Sequence, residues 1–390
     1  MHTNSWVAGI VCLAIAQQTP AETAPPAWVN EGPYADERSL FIELPMDVLA
    51  TKLFVEVELG GHPRRFVFDT GSPSMVSADL AAELGLDIID TRQGRDAHGA
   101  IIETNIAQTD LTLGEVTFHK VPVYIAEFPE AAQCLFDGVL GSEVLPLCAW
   151  QMDVPDAMLR CAAKVSELDS IATARQQTLY DFGYPHTPFF DIQLSEQASS
   201  KAMFDTGSSE YLTLSPMDRD GAARDGGIGR TVSGSGSLGQ SLGGAAPVTR
   251  LQSVRLNEVS VGSIELGAVD APVRSLAPSL IGASLLNHFV VTLDARANTA
   301  YFDAYEPGPF QRGTFGFGLQ FDGDVTVSQV WADSPADAAG MAVGDRVTSI
   351  NDKAVTASCE DMRHTMRLMA DAEQLDVEWE GSRQTLTRTR

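Results

Sequence analysis

Two aspartates stand in the same five-residue setting. Phe68-Asp69-Thr70-Gly71-Ser72 returns as Phe204-Asp205-Thr206-Gly207-Ser208, 136 residues further on. Phe54 and Phe190 each lie 15 residues before the aspartate of their copy, and Val139-Leu140-Gly141 is answered by Leu280-Ile281-Gly282, 141 residues later. A duplicated unit with one acidic residue per copy supplies a pair. Two carboxylates held at hydrogen-bonding distance cannot both ionise at low cost, so they share a proton. The ionised member can take a proton from water while the neutral one donates to a carbonyl. Hydrolysis by such a pair needs no metal, no cofactor and no covalent intermediate. Asp69 and Asp205 titrate as a unit, and neither is given a separate role.

The flanking segments read as strands and tight turns. Residues 53–59 alternate at period two, Gly60-Gly61 turns the chain, and Arg65-Phe66-Val67-Phe68 leads into the first aspartate. Ser77 and Gly85 bracket a short helix as N-cap and C-terminal stop. In the second copy, residues 254–261 correspond to residues 111–118, so the repeat extends well beyond the acidic motif. Gly71 and Gly207 leave room for backbone to pass beside the carboxylates. The second copy's distinctive insertion, residues 226–246, is almost entirely Gly, Ser and other small residues.

A lone Asp-Thr-Gly is weak, since it also forms a plain turn after a strand and arises by chance in on the order of one in ten chains of this length. Two copies, each entered by an apolar strand and followed by an apolar-apolar-Gly, resemble the aspartic proteases in both their pepsin-like and retroviral-type branches. The resemblance spans roughly residues 40–305. It implies a mainly β, bilobal, pseudo-twofold aspartic-protease barrel fold with Asp69 and Asp205 catalytic. It further implies that Thr70 and Thr206 cross-link the two loops, and that Ser72 and Ser208 reach the outer carboxylate oxygens. Each copy is closer in length to a retroviral-type (retropepsin-like) subunit than to a pepsin lobe. Flap hairpins over the cleft are expected from residues 94–100 and 233–243, the first without the tyrosine of pepsin. Residues 17–40 are short and not basic, so no inhibitory prosegment is expected.

After Pro307-Gly308-Pro309 a different module begins. Gly316-Phe317-Gly318-Leu319, Ser334-Pro335-Ala336, Ala339-Gly340-Met341 and Gly344-Asp345-Arg346-Val347, followed by Ile350-Asn351, resemble a bacterial, protease-associated PDZ domain over residues 311–390. By that resemblance, the amides around Phe317, Gly318 and Leu319 bind a peptide C-terminus that adds as a strand, with residues 359–369 as the other wall. The alternative is a groove left empty in a domain that packs against the protease.

Composition bounds the rest. The chain has 390 residues with 26 basic and 52 acidic side chains, a net charge of −26 that argues against nucleic-acid and anionic-membrane partners. Residues 1–16 read as an export signal, with a short apolar run and Ala14-Ile15-Ala16 as cleavage site but no basic n-region. Residues 17–39 read as a disordered leader, 40–165 as the first lobe and 166–305 as the second, including a linker over 166–187. The signal and the PDZ fusion point to the periplasm, with an uncleaved signal serving as an anchor in the other case.

Of the five cysteines, Cys148 and Cys161 flank a hairpin and pair as a disulfide in an oxidising compartment or stay as buried thiols. Cys134 and Cys359 have no visible partner. No Cys-x-x-Cys, His-Glu-x-x-His or Gly-x-Ser-x-Gly occurs, so neither a metal site nor a serine hydrolase is expected. Gly234-Ser235-Gly236-Ser237-Leu238-Gly239 matches a dinucleotide pattern but lacks a helix to follow it and reads as a flap. The expected function is an exported aspartic endopeptidase acting on peptide or protein substrates, with a PDZ domain that selects or regulates. A silent pseudoprotease used as a peptide-binding scaffold is the alternative.

Overall fold

The computed structural model describes residues 26–36, 40–241 and 244–389. The expected export signal therefore lies outside the described residues. Residues 26–36, expected within a disordered leader, instead pack on the first lobe. Two aromatics in that Pro- and Ala-rich stretch supply the anchors. Trp28 is buried and donates to Asp90 at 2.9 Å, and Tyr34 bridges to His119.

The first lobe opens with β1 (Phe41–Leu49), β2 (Lys52–Leu59), β3 (His62–Phe68) and β4 (Met75–Ser77), followed by helix α1 (Ala78–Leu84). Ser77 Oγ accepts from the Leu80 amide, and Gly85 closes the helix in the left-handed conformation. Then come β5 (Ile88–Arg95), β6 (Ile101–Leu113), β7 (Val116–Ala126), the single-turn α2 (Glu130–Gln133), β8 (Gly138–Leu140), β9 (Ala149–Asp153) and β10 (Met158–Ala162).

Residues read as a linker contribute β11 (Arg175–Thr178) and β12 (Tyr180–Asp181), and β11 pairs with the strand over Thr299–Ala304. Its polar Arg-Gln-Gln-Thr sequence shows no period-two signal because it is an edge strand, paired on one side only.

The second lobe continues through β13 (Pro188–Gln193), β14 (Ser199–Asp205), β15 (Leu212–Thr213), α3 (Pro216–Arg224) and β16 (Ile228–Gly236). A short pair, β17 (Gln240–Ser241) and β18 (Gly244–Ala245), precedes β19 (Thr249–Val261), β20 (Ile264–Pro272), β21 (Ser279–Gly282), β22 (Phe289–Asp294) and β23 (Thr299–Ala304). The glycine-rich 234–239 motif thus lies on a strand and its turn, with no helix after it.

Each lobe threads its aspartate strand beside a strand from much later in the chain. β3 runs parallel to β8, with Phe68 opposite Leu140, and β8 also pairs antiparallel with β4. In the same way β14 runs parallel to β21, with Asp205 opposite Gly282, and β21 pairs antiparallel with β15. The lobes join through a sheet in the order β11-β23-β22-β9-β10-β1. At its centre Trp150, Gln151 and Met152 face Leu293, Thr292 and Val291. Because the copies are offset by 141 residues here, the pseudo-twofold axis passes through the Gln151–Thr292 pair, whose side chains hydrogen-bond at 3.1 Å.

One apolar core runs through both lobes, including Phe66, Phe68, Trp150, Phe190, Phe204 and Phe302. Phe68 packs on Trp150 at 5.3 Å, and Phe190 on Phe204 and Phe302 at 5.9 and 5.5 Å. These rings fix the roots of both aspartate strands.

The C-terminal module comprises β24 (Phe317–Asp322), β25 (Asp324–Trp331), α4 (Pro335–Ala338), β26 (Val347–Ile350), β27 (Lys353–Ala354), α5 (Cys359–Asp371), β28 (Gln374–Trp379) and β29 (Ser382–Thr387). It has its own core around Val327, Val347, Leu375 and Trp379. Its β25 also pairs with β16 of the second lobe, so the two sheets are continuous.

Candidate active site

The strand ends β3 and β14 bring Asp69 and Asp205 together at the lobe boundary, where both carboxylates border Gly207. Beneath them the two threonines are fully buried and cross-linked. The Thr70 amide donates to Thr206 Oγ1 at 3.0 Å and the Thr206 amide to Thr70 Oγ1 at 3.2 Å. Each hydroxyl then donates across to the other lobe, Thr70 to the Phe204 carbonyl at 2.6 Å and Thr206 to the Phe68 carbonyl at 2.8 Å. Both amides and both hydroxyls of this knot are satisfied, which burial demands.

The glycines act crosswise. A Cβ added to Gly71 would collide with the Asp205 carboxylate, and one added to Gly207 would collide with that of Asp69. Each copy's glycine therefore makes room for the other copy's acid. Behind the loops, Ser142 N donates to Ser72 O at 2.9 Å and Ala283 N to Ser208 O at 2.8 Å. The Ser72 side chain behaves otherwise than the family likeness implies. Ser72 Oγ is buried without a hydrogen-bond partner instead of engaging a carboxylate.

Burial, then the charge of Asp69, pushes Asp205 up to about 7. One proton is therefore retained by the pair over a wide acidic range. Two cations that the sequence did not mark stand nearby. Lys52 donates its ammonium to the Gly207 carbonyl and faces both aspartates. Arg274 faces Asp205 and donates to the carbonyls of Pro278 at 3.1 Å and Ala97 at 3.3 Å. Neither sits in a recognisable motif. Lys52 follows Ala50-Thr51, a hairpin corner without the Gly or Asn that announces one.

The two hairpin tips meet above the cleft. Ser241, after β16, donates to Asp96, which lies between β5 and β6. Asp96 also accepts from the amides of His98 at 3.0 Å and Ala100 at 2.7 Å, which shapes the first tip.

Cys148 and Cys161 form a disulfide across the β9–β10 hairpin. At the equivalent place in the second lobe Phe289 and Phe302 stand with ring centroids 6.0 Å apart. Cys134 and Cys359, for which the sequence offers no partner, also form a disulfide, joining the end of α2 to the start of α5 across 225 residues. Sequence separation hides such a pairing.

Gly316 adopts φ +83 and Phe317 is buried at the start of β24. Gly318 and Leu319 follow on the sheet edge, since β24 pairs only with β25. The first lobe's own segment 128–136 lies against both α5 and β24. Alpha-helix α2 approaches β24, Arg363 donates to the Cys134 carbonyl at 2.7 Å, and Met366 packs into the cluster around Phe128, Leu135 and Phe136.

The family model described as aspartyl protease matches residues 55–144. A PDZ domain model matches residues 326–379. No curated protein matches the chain. The first match ends before Asp205, so the partner carboxylate is supplied by the internal repeat and by the geometry.

Proposed function

We propose that this chain, with its aspartyl protease domain and C-terminal PDZ domain, is an exported aspartic endopeptidase. The observation that carries the reading is the juxtaposed, half-buried pair Asp69 and Asp205, each packed against the other copy's glycine and held from below by the Thr70–Thr206 knot. A water lodged between the carboxyls loses a proton to the ionised member as its oxygen attacks the scissile carbonyl carbon. The neutral member gives its proton to the carbonyl oxygen, forming a tetrahedral diol. The carboxyl that took the water's proton then gives it to the amide nitrogen, while the other, now ionised, takes a proton from a diol hydroxyl. The C–N bond so breaks to amine and carboxylic acid, and the pair again holds one proton.

Two acids pressed together cost a fold stability, and a scaffold has no need of that cost, which speaks against a scaffold role for the protease domain. The PDZ domain would offer the amides around Phe317, Gly318 and Leu319 to a peptide or protein C-terminus. That ligand would share its groove with segment 128–136, which favours regulation of the attached protease over an independent tether. The paired cysteines suit the oxidising periplasm.

The test is cleavage of a diverse peptide pool from about pH 3 to about pH 8, with Asp69→Asn and Asp205→Asn as controls. Loss of cleavage in both variants supports the shared pair. Cleavage surviving in either one removes it, and peptide binding without cleavage by the unmutated chain would favour the scaffold.

A further inference from the structure

We propose that Lys52 is a positioning residue for the Asp69–Asp205 pair, a single cation from the first lobe that compensates the one negative charge the pair carries and pins the second lobe's catalytic loop. This rests on the hydrolytic reading above and adds the group that keeps the pair singly ionised.

Three observations converge on Lys52. Its side chain is half-buried, and the ammonium donates to the carbonyl of Gly207, the residue whose Cα abuts Asp69. An ammonium partly withdrawn from water is favoured by a nearby counter-charge, yet Lys52 forms no ion pair among the described residues. The charged groups that face it are Asp69, Asp205, Arg312 and Glu210. Arg312 and Glu210 are paired with each other at 3.2 Å, and Arg312 also donates to the Ser209 carbonyl at 2.7 Å. What remains for Lys52 is the aspartate pair.

The second observation is the backbone that presents it. Leu49 and Lys52 close the β1–β2 hairpin around Ala50 and Thr51, with φ of +49 and +71. A β-branched residue in the left-handed region is strained, and Thr51 Oγ1 is buried without a partner. Strain at the corner that carries Lys52 into the cleft is a cost that the charge placement accounts for.

The third is an asymmetry. With Phe54 matched to Phe190, the position of Lys52 falls on Pro188, which has no charge to offer. Two carboxyls sharing one proton carry one negative charge. Of the two cations beside them, Lys52 faces both carboxyls, whereas Arg274 of the second lobe faces Asp205 and is bonded to the Pro278 and Ala97 carbonyls. Burial lowers the proton affinity of Lys52, and Asp69 followed by Asp205 works against that loss. Reciprocally, Lys52 opposes the rise of Asp205.

The experiment titrates the aspartate carboxyls of the full chain by 13C NMR, assigned with Asp69→Asn and Asp205→Asn, in the wild type, Lys52→Met, Lys52→Gln and Lys52→Arg. Loss of a neighbouring opposite charge should raise the pair's midpoints by about one pH unit in the Met and Gln variants, while Arg leaves them near wild type. Gln retains a donor for the Gly207 carbonyl, so charge is separated from hydrogen bonding, and one foldable neutral variant suffices. The pH profile of peptide cleavage should move the same way on both limbs. Unchanged midpoints in the neutral variants, or an equal shift in Lys52→Arg, would overturn the proposal. If the wild type cleaves nothing, the hydrolytic reading fails, and the carboxyl titration still decides the role of Lys52.

Discussion

Thr70 and Thr206 each donate an amide proton to the other's hydroxyl and pass the hydroxyl proton to the other lobe's backbone. This closed exchange ties both aspartate loops through buried side chains of the motif itself. Thr70→Val keeps the shape but orphans the Thr206 amide and the Phe204 carbonyl. The expected loss is roughly 1–3 kcal/mol for each buried group left unpaired. Thr70→Ser should retain most of it. Urea unfolding of the three proteins reads the difference, and equal midpoints for Val and wild type would contradict the closed exchange.

The pair's titration gives a pH expectation with a definite sign. Asp205 is raised to about 7, so the shared proton leaves as pH passes that value and cleavage should fall above it. An acid whose folded affinity exceeds its unfolded one stabilises the fold fully at low pH and loses that contribution as pH rises. Asp205→Asn should therefore lower cleavage by roughly 10²–10⁴-fold and raise the melting temperature near neutral pH. Cleavage rates across pH and thermal scans at neutral pH check both halves of this expectation.

Repetition explains how much of this was legible. Two Asp-Thr-Gly-Ser copies, their upstream phenylalanines and the downstream apolar-apolar-Gly mark both strand crossings, because duplicated local geometry needs duplicated local sequence. What escaped are contacts made once. Lys52 has no counterpart in the other copy, and Cys134 and Cys359 lie 225 residues apart. Residues 226–246 look like a loose flap because glycine was read as freedom. In the structure Gly234 and Gly236 are small because the PDZ strand passes against them. Trp28 was lost inside a low-complexity stretch, where one aromatic does not change the composition.

Glu143 makes a second pH expectation, independent of the dyad. It is buried behind the first aspartate loop, accepts from the Ser74 amide at 2.7 and 2.8 Å, and is pushed up to about 8 by burial. Its folded affinity for the proton exceeds its unfolded one, so its contribution is full below the unfolded value of 4.5 and is lost as pH rises towards about 8. The slope is at most about 1.4 kcal/mol per pH unit. Glu143→Gln removes the proton and should flatten the stability curve in that window. Urea midpoints at about pH 5 and about pH 8 would show it, and an unchanged slope would refute it.

The two disulfides should differ in weight. Cys148–Cys161 closes a sequence separation of 13 residues within one hairpin, whereas Cys134–Cys359 spans 225 and joins the first lobe to the PDZ helix. Longer closed loops restrict the unfolded chain more, so Cys134→Ser should cost on the order of 2–5 kcal/mol and Cys148→Ser less. Freed of that bond, segment 128–136 should also leave the groove more readily. Binding of a fluorescent C-terminal peptide is then expected to tighten in Cys134→Ser, and weaker binding would show that the segment does not compete.

The pairing of β16 with β25 links the PDZ domain to the hairpin over the cleft. Gly234 lies opposite Trp331 and Gly236 opposite Gln329. A Cβ on Gly234 would come within 2.8 Å of the Trp331 ring and 3.0 Å of the Val330 carbonyl. Gly236 adopts φ +138, and a Cβ there would run into the Ser328 carbonyl. Gly236→Ala therefore strains the backbone and pushes the strands apart, at a cost of about 1–3 kcal/mol. The hairpin tip carries Ser241, which closes on Asp96 of the opposite tip, so a displaced β16 should open the cleft. The expected kinetic signature is a higher KM for peptide cleavage with a smaller change in kcat. Trp331→Ala, which empties the same contact from the PDZ side, should move KM in the same direction. If KM is unchanged in both variants while β16 and β25 are shown by amide exchange to have separated, the hairpin is positioned by its own lobe and the PDZ strand only rests upon it.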